Sequence, residues 1–152
     1  GRGRSAAPEM ARELEKRDWV PDLVLSSNAV RTKETFDRMQ EVWEKEVRVE
    51  YREELYLASS HILMMALNSF FEKYKPDTLM LLGHNPGMIQ LMGDIAETFE
   101  DQPVPTKFLT AACALYDGFC YKGSFTADGM VEFIKPNPLV DLRQCQSIRQ
   151  IR

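Results

Sequence analysis

Apolar positions along this chain recur with two alternating periods, and the switches between them divide it into helices and strands. Ala6, Met10 and Leu14 fall one turn apart, so residues 5–17 are predicted to form a helix with a single apolar stripe. Pro21 breaks that helix, and Asp22 to Ser26 (DLVLS) reads as a short buried strand. Helical spacing returns over residues 29–45 through Phe36, Met39 and Trp43, with charges on the other face. Val47 to Glu50 alternates apolar and polar, the period of a half-buried strand. Ser59 or Ser60 can cap the next helix, which carries Leu63, Leu67, Phe70, Phe71 and Tyr74 and is stopped by Pro76. Thr78 to Leu82 is an unbroken apolar run between Pro76 and Gly83, suited to a strand covered on both faces. Pro86 fits the first turn of a further helix, whose core face is Met88, Leu91 or Met92, Ile95 and Phe99.

Asp101 to Lys107 holds two prolines and reads as a loop. Strands are predicted near 109–116 and 130–134, and the turn signals Asp117-Gly118 and Asp128-Gly129 make them an antiparallel pair. Strand–helix alternation followed by late strands predicts a three-layer α/β/α sandwich around a mostly parallel sheet. With no internal repeat and no dividing linker, residues 1–136 form one domain. Residues 137–152, with Arg143, Arg149 and Arg152 against Asp141, read as a frayed or docked C-terminal tail.

Composition narrows the function classes. At 152 residues and 44% hydrophobic, the chain can build a core without metal or disulfide staples. A net charge of -4 counts against nucleic acid as a partner. No apolar run approaches the ~18 residues of a membrane-spanning helix, so no membrane partner is expected. Cys113, Cys120 and Cys145 are odd in number and lack C-x-x-C spacing, which predicts free thiols in a reducing compartment. His61 and His84 are the two histidines and neither neighbours a cysteine, so no metal site is expected. Met64, Met65, Met88 and Met92 read as core filling and not as a cofactor site.

In such sheets ligands gather outside the carboxyl ends of the strands. Two segments occupy that position, Ser26-Ser-Asn-Ala-Val-Arg31 and Gly83-His-Asn-Pro-Gly87, each leaving a strand and entering a helix. Backbone N–H groups at a helix start favour an anion such as phosphate. Arg31 adds a planar cation able to grip two phosphate oxygens. His84 adds a group that donates a hydrogen bond to a phosphoryl oxygen or moves a proton. Ser27 and Asn85, in the same segments, are candidate phosphate-binding residues. The residues alone leave an ordinary reading open: Arg31 as a solvated first-turn arginine, His84 as a turn histidine. His61 follows two serines at a helix start and reads as a surface or capping residue, and Glu53 and Glu54 read as solvated loop charges.

Val24-Leu-Ser-Ser-Asn-Ala-Val-Arg-Thr-Lys-Glu-Thr35 and Leu81-Leu-Gly-His-Asn-Pro-Gly87 together resemble two motifs of the histidine phosphatase superfamily, in its small phosphohistidine phosphatase-like branch. Gly3 with its Ala-rich helix, Glu54-Leu-Tyr56, Pro105-Thr-Lys107 and the Phe133-to-Pro136 ending also have counterparts there. The resemblance implies a phosphoglycerate mutase-like fold and a phosphatase without metal or cofactor that works through a phosphohistidine intermediate. It assigns phosphate binding to Arg31 and the second pocket position to His84. It further implies a phosphorylated small molecule or a phosphohistidine protein as partner; the cytoplasm is the default compartment.

The chain departs from the pattern in two places. The family's attacking histidine lies in an Arg-His-Gly or Arg-His-Ala segment after a first, central strand, and this sequence has no Arg-His pair. With Gly at position 1, the expectation is that a segment carrying that strand and nucleophile lies upstream, where a targeting leader would also lie. The alternative is a non-catalytic phosphate- or phosphoprotein-binding relative; an unrelated α/β binding domain is a third reading. At Glu53-Glu-Leu-Tyr-Leu-Ala a leucine stands where many superfamily members have a general acid. A protonated imidazole leaves more readily than an alkoxide, which tilts the substrate toward phosphohistidine.

Overall fold

Three strand–helix alternations set the frame that carries the candidate segments. The computed structural model describes residues 2–96, 113–121, 124–134 and 144–150. Helix α1 (Arg2–Lys16) leads to β1 (Leu23–Ser27), α2 (Val30–Val42), β2 (Arg48–Arg52) and a 3-10 turn at Glu53–Leu55. Helix α3 (Ser60–Tyr74), β3 (Thr78–Gly83) and α4 (Gly87–Ala96) follow, then β4 (Cys113–Tyr121), β5 (Ser124–Ile134) and β6 (Gln144–Gln150). Local chemistry explains the boundaries of α3. The Ser59 hydroxyl accepts the Ile62 N–H at its start, and Lys75 adopts the left-handed conformation (φ 48) that ends it before Pro76.

The sheet order is β2-β1-β3-β6-β4-β5, with β1 parallel to both β2 and β3. Side chains alternate across it. Leu23, Leu25, Leu79 and Leu81 join a core with α3 and α4, whereas Val24, Met80 and Leu82 join a second core with α1 and α2. This is the three-layer sandwich expected from the sequence. The indole N–H of Trp43 donates to the carbonyl of Ala11, tying the end of α2 to α1 across the second core.

Two expectations are corrected. Gln144–Gln150, read as part of a tail, is a strand between β3 and β4, antiparallel to the first and parallel to the second. Two buried strands with unpaired backbone edges supply a pairing drive that a polar seven-residue segment does not advertise. Between β3 and β4 this strand completes the six-stranded sheet. The pairs Asp117-Gly118 and Asp128-Gly129 do not turn the chain: they lie within β4 and β5, where the register shifts as in a β-bulge. Phe99 and the segment Asp101 to Lys107 lie outside the described residues. Among the described residues no helix is long and apolar enough to cross a membrane.

Asp22 sets the start of the β1–β3 pair. Its carboxylate accepts the N–H groups of Asp77 (2.6 Å) and Thr78 (3.3 Å), while its own N–H donates to the Thr78 carbonyl at 2.9 Å. Asp22→Ala removes two charge-assisted bonds at once. Its urea unfolding curve should show a loss of about 1–3 kcal/mol, and an unchanged midpoint would refute this role.

Candidate active site

The order β2-β1-β3 creates a switch point: the chain leaves β1 toward β2 on one side and reaches β3 on the other. The helices that follow β1 and β3 lie on opposite faces, so a crevice opens between the carboxyl ends of these two strands. Ser27 closes β1 and His84 follows β3, so both candidate segments meet there.

A cleft of about 650 Å³ at this point is lined by Asn28, Ala29, Val30, Arg31, Tyr56, Leu57 and His84. Arg31 is exposed in the first turn of α2, whose N-cap Ala29 offers no capping side chain. His84 is half-buried. Arg31 and His84, brought together by the sequence reading alone, thus share one cleft.

Ser27 has a different place from the one expected. It is fully buried and lies under the cleft, where its Oγ is 2.6 Å from His84 Nε2 and 3.1 Å from Thr32 Oγ1. Each hydroxyl brings one hydrogen to this chain of bonds. The Thr32 hydroxyl lies 2.9 Å from the Ser27 carbonyl and 3.0 Å from the Ala29 carbonyl, which can only accept. Those carbonyls also receive the Ser26 hydroxyl and the Lys33 N–H, so the Thr32 hydrogen can go to either of them or to Ser27 Oγ. The Ser27 hydroxyl and His84 Nε2 share one hydrogen bond, whose donor follows the tautomer of the ring. Thr32, also fully buried, was not singled out from the sequence. Its signal is the i, i+5 spacing to Ser27 across a strand–helix junction.

Tyr56 stands against the histidine ring edge-on, with centroids 5.2 Å apart and planes at 72°. It reaches the cleft from the segment after the 3-10 turn, together with Leu57, whose φ of 50 is the left-handed region. A bulky residue there costs roughly 1–2 kcal/mol. The segment is also pressed close to α4: a Cβ on Gly87 would collide with the carbonyl oxygen of Ala58.

Asn85 is exposed and lies outside the lining, as are Glu53, Glu54 and His61. Two tyrosines with shifted hydroxyls also lie elsewhere. Burial, with Asp37 adding repulsion, pushes Tyr51 up to about 12, and burial holds Tyr116 well above its usual range. Among the described residues no cluster of His, Cys, Asp and Glu could hold a metal ion.

No family model matches the chain. It is 35% identical over 92 residues to an uncharacterized chloroplastic protein of Arabidopsis thaliana, a match covering 56% of this chain and 42% of that protein. The chain thus spans less than half the length of that curated relative. Among solved structures it is similar to SixA of Agrobacterium tumefaciens, assigned as a phosphohistidine phosphatase. There the TM-score is 0.66 at 22% identity, over 88% of this chain and 80% of that one. It is also similar to the protein histidine phosphatase SixA complexed with tungstate, with a TM-score of 0.61 at 17% identity over 84% and 78% of the two chains. The chain therefore has the phosphoglycerate mutase-like α/β fold of these SixA structures, the fold that the two motifs implied.

Two substitutions test this geometry. Ser27→Ala removes the hydroxyl bonded to His84 Nε2, so the ¹⁵N shift of that nitrogen should change, with about 1 kcal/mol of stability lost. A shift identical to that of the parent would show that this bond is not made. Gly87→Ala should lower stability by about 1–3 kcal/mol through overpacking against Ala58, seen as a lower thermal midpoint.

Proposed function

We propose that the cleft binds a phosphoryl group and that the domain is a phosphatase of phosphohistidine, or of another phosphomonoester or phosphoramidate. The observation that carries this reading is the convergence of Arg31 and His84, from two separate strand–helix junctions, on one cleft at the switch point. A guanidinium and an imidazole at a helix start supply the charge compensation that a transferring phosphoryl group needs. One SixA structure of the same fold is complexed with tungstate, a tetrahedral oxyanion, which supports an oxyanion as the ligand.

In the proposed reaction a histidine nitrogen attacks phosphorus, the bond from phosphorus to the leaving nitrogen or oxygen breaks, and the leaving group takes up a proton. Water then attacks the phosphohistidine, releases inorganic phosphate and regenerates the free imidazole. Arg31 binds two phosphoryl oxygens, and His84, held by Ser27, stabilises the charge that develops on them. His84 is already engaged through Nε2, and His61 lies outside the cleft. We therefore assign the attack to a histidine in an Arg-His segment upstream of these residues. The absence of such a pair from the 152 residues favours, as a second reading, a relative that binds phosphate or a phosphoprotein without turnover. For compartment we propose the cytoplasm or, following the Arabidopsis relative, a chloroplast.

The test has two arms. The chain itself should bind tungstate or inorganic phosphate, and Arg31→Ala should weaken that binding at least tenfold, roughly the value of one bidentate charge-assisted contact. A form extended upstream through an Arg-His segment should hydrolyse an aryl phosphate in the presence of a chelator. There His84→Ala should lower kcat by about 10²–10³. Oxyanion binding without turnover in the extended form would establish the second reading, and no binding at all would refute both.

A further inference from the structure

Five large apolar side chains are exposed among the described residues, and three of them, Val30, Tyr56 and Leu57, line the cleft that holds Arg31 and His84. They are 71%, 55% and 59% exposed, so no core accounts for their character. Val30 opens α2, at a position where a β-branched residue is a poor helix former. Leu57 is held at φ 50, where asparagine or glycine would sit with less strain. Strain in an exposed residue at the mouth of a cleft points toward function.

The cleft is also larger than an inorganic anion requires. At about 650 Å³ it falls within the ~300–1,000 Å³ range of sites that take organic ligands. None of its lining residues is acidic, and its composition is divided: cationic and imidazole groups from Arg31 and His84, apolar surface from the other loop and the helix start.

We propose that Val30, Tyr56 and Leu57 form an apolar collar for the group that bears the phosphoryl, so that the site selects a phosphoryl carried on a planar ring over one carried on an aliphatic chain. The inference rests on the phosphoryl reading of the cleft and adds the residues that choose the substrate. A ring entering between Tyr56 and Leu57 would replace water on apolar surface that is now exposed. An aliphatic phosphomonoester with polar substituents would instead lose hydration there with nothing to replace it. Tyr56 is both wall and support, because its edge already abuts the His84 ring.

Calorimetric titration of the chain with inorganic phosphate, methylphosphonate and phenylphosphonate separates the two claims. Phenylphosphonate should bind about tenfold or more tightly than methylphosphonate, the gain given by burying one face of a ring. Leu57→Asn and Val30→Ser should each bring that ratio down toward one. Leu57→Asn should also raise the thermal midpoint, since asparagine tolerates the left-handed backbone, a change that a leucine kept for stability would not show. Equal affinities for the two phosphonates, or a ratio that survives both substitutions, would overturn the collar while leaving phosphoryl binding intact. Failure of all three anions to bind would overturn the phosphoryl reading itself, and the collar with it.

Discussion

The parallel pairing of β1 with β3 is the constraint on which the site depends. Leu23 to Ser26 run beside Leu79 to Leu82 in register, which brings the ends of the two strands to the same level. A slip of one residue would move a strand's side chains to the opposite faces. In β3 that slip would exchange Leu79 and Leu81 for Met80 and Leu82, all buried and all apolar, so polarity alone hardly resists it. The Asp22 carboxylate, which holds the backbone at the start of β3, provides the missing discrimination. Register set at one end of the strands thus fixes the 2.6 Å contact of Ser27 with His84 at the other.

Below the cleft, two buried hydroxyls satisfy each other. Ser27 and Thr32 are fully buried, and an unpaired polar atom there would cost about 1–3 kcal/mol. Their bonds run from the Ser27 and Ala29 carbonyls through the two hydroxyls to the imidazole. The network therefore does more than satisfy polar atoms, because it holds the His84 ring through Nε2. The Tyr56 ring restrains it from a second direction.

Much of this was legible in the sequence because the relevant signals are local. The apolar run of β3, the Pro76 and Gly83 that bound it, and Arg31 and His84 at strand exits each follow from spacing within a few residues. What escaped depends on distant partners. Gln144–Gln150 has the composition of a loop and becomes a strand through pairing with β3 and β4. The two Asp-Gly pairs carry turn chemistry, but partner strands on both sides absorb them as irregularities. Ser27 looked like a ligand for phosphate, since a serine at a helix start usually is exposed. The strand buries it instead, and Thr32 gains a role that only its fold across the junction reveals.

Tyr56 and Leu57 belong to no periodic pattern, and this agrees with their place in the structure. A periodic apolar residue is explained by the core it enters, whereas these two are exposed and one is strained. The left-handed backbone at Leu57 is tolerable because the neighbouring segment is fixed independently. Leu55 is buried in the core, and Ala58 is pressed against the Gly87 position at the start of α4. Anchors on both sides hold the two side chains over the cleft without packing them into it. The same close contact sets Tyr56 and Leu57 beside the helix that follows His84, so the apolar rim and the imidazole are positioned through the same packed junction.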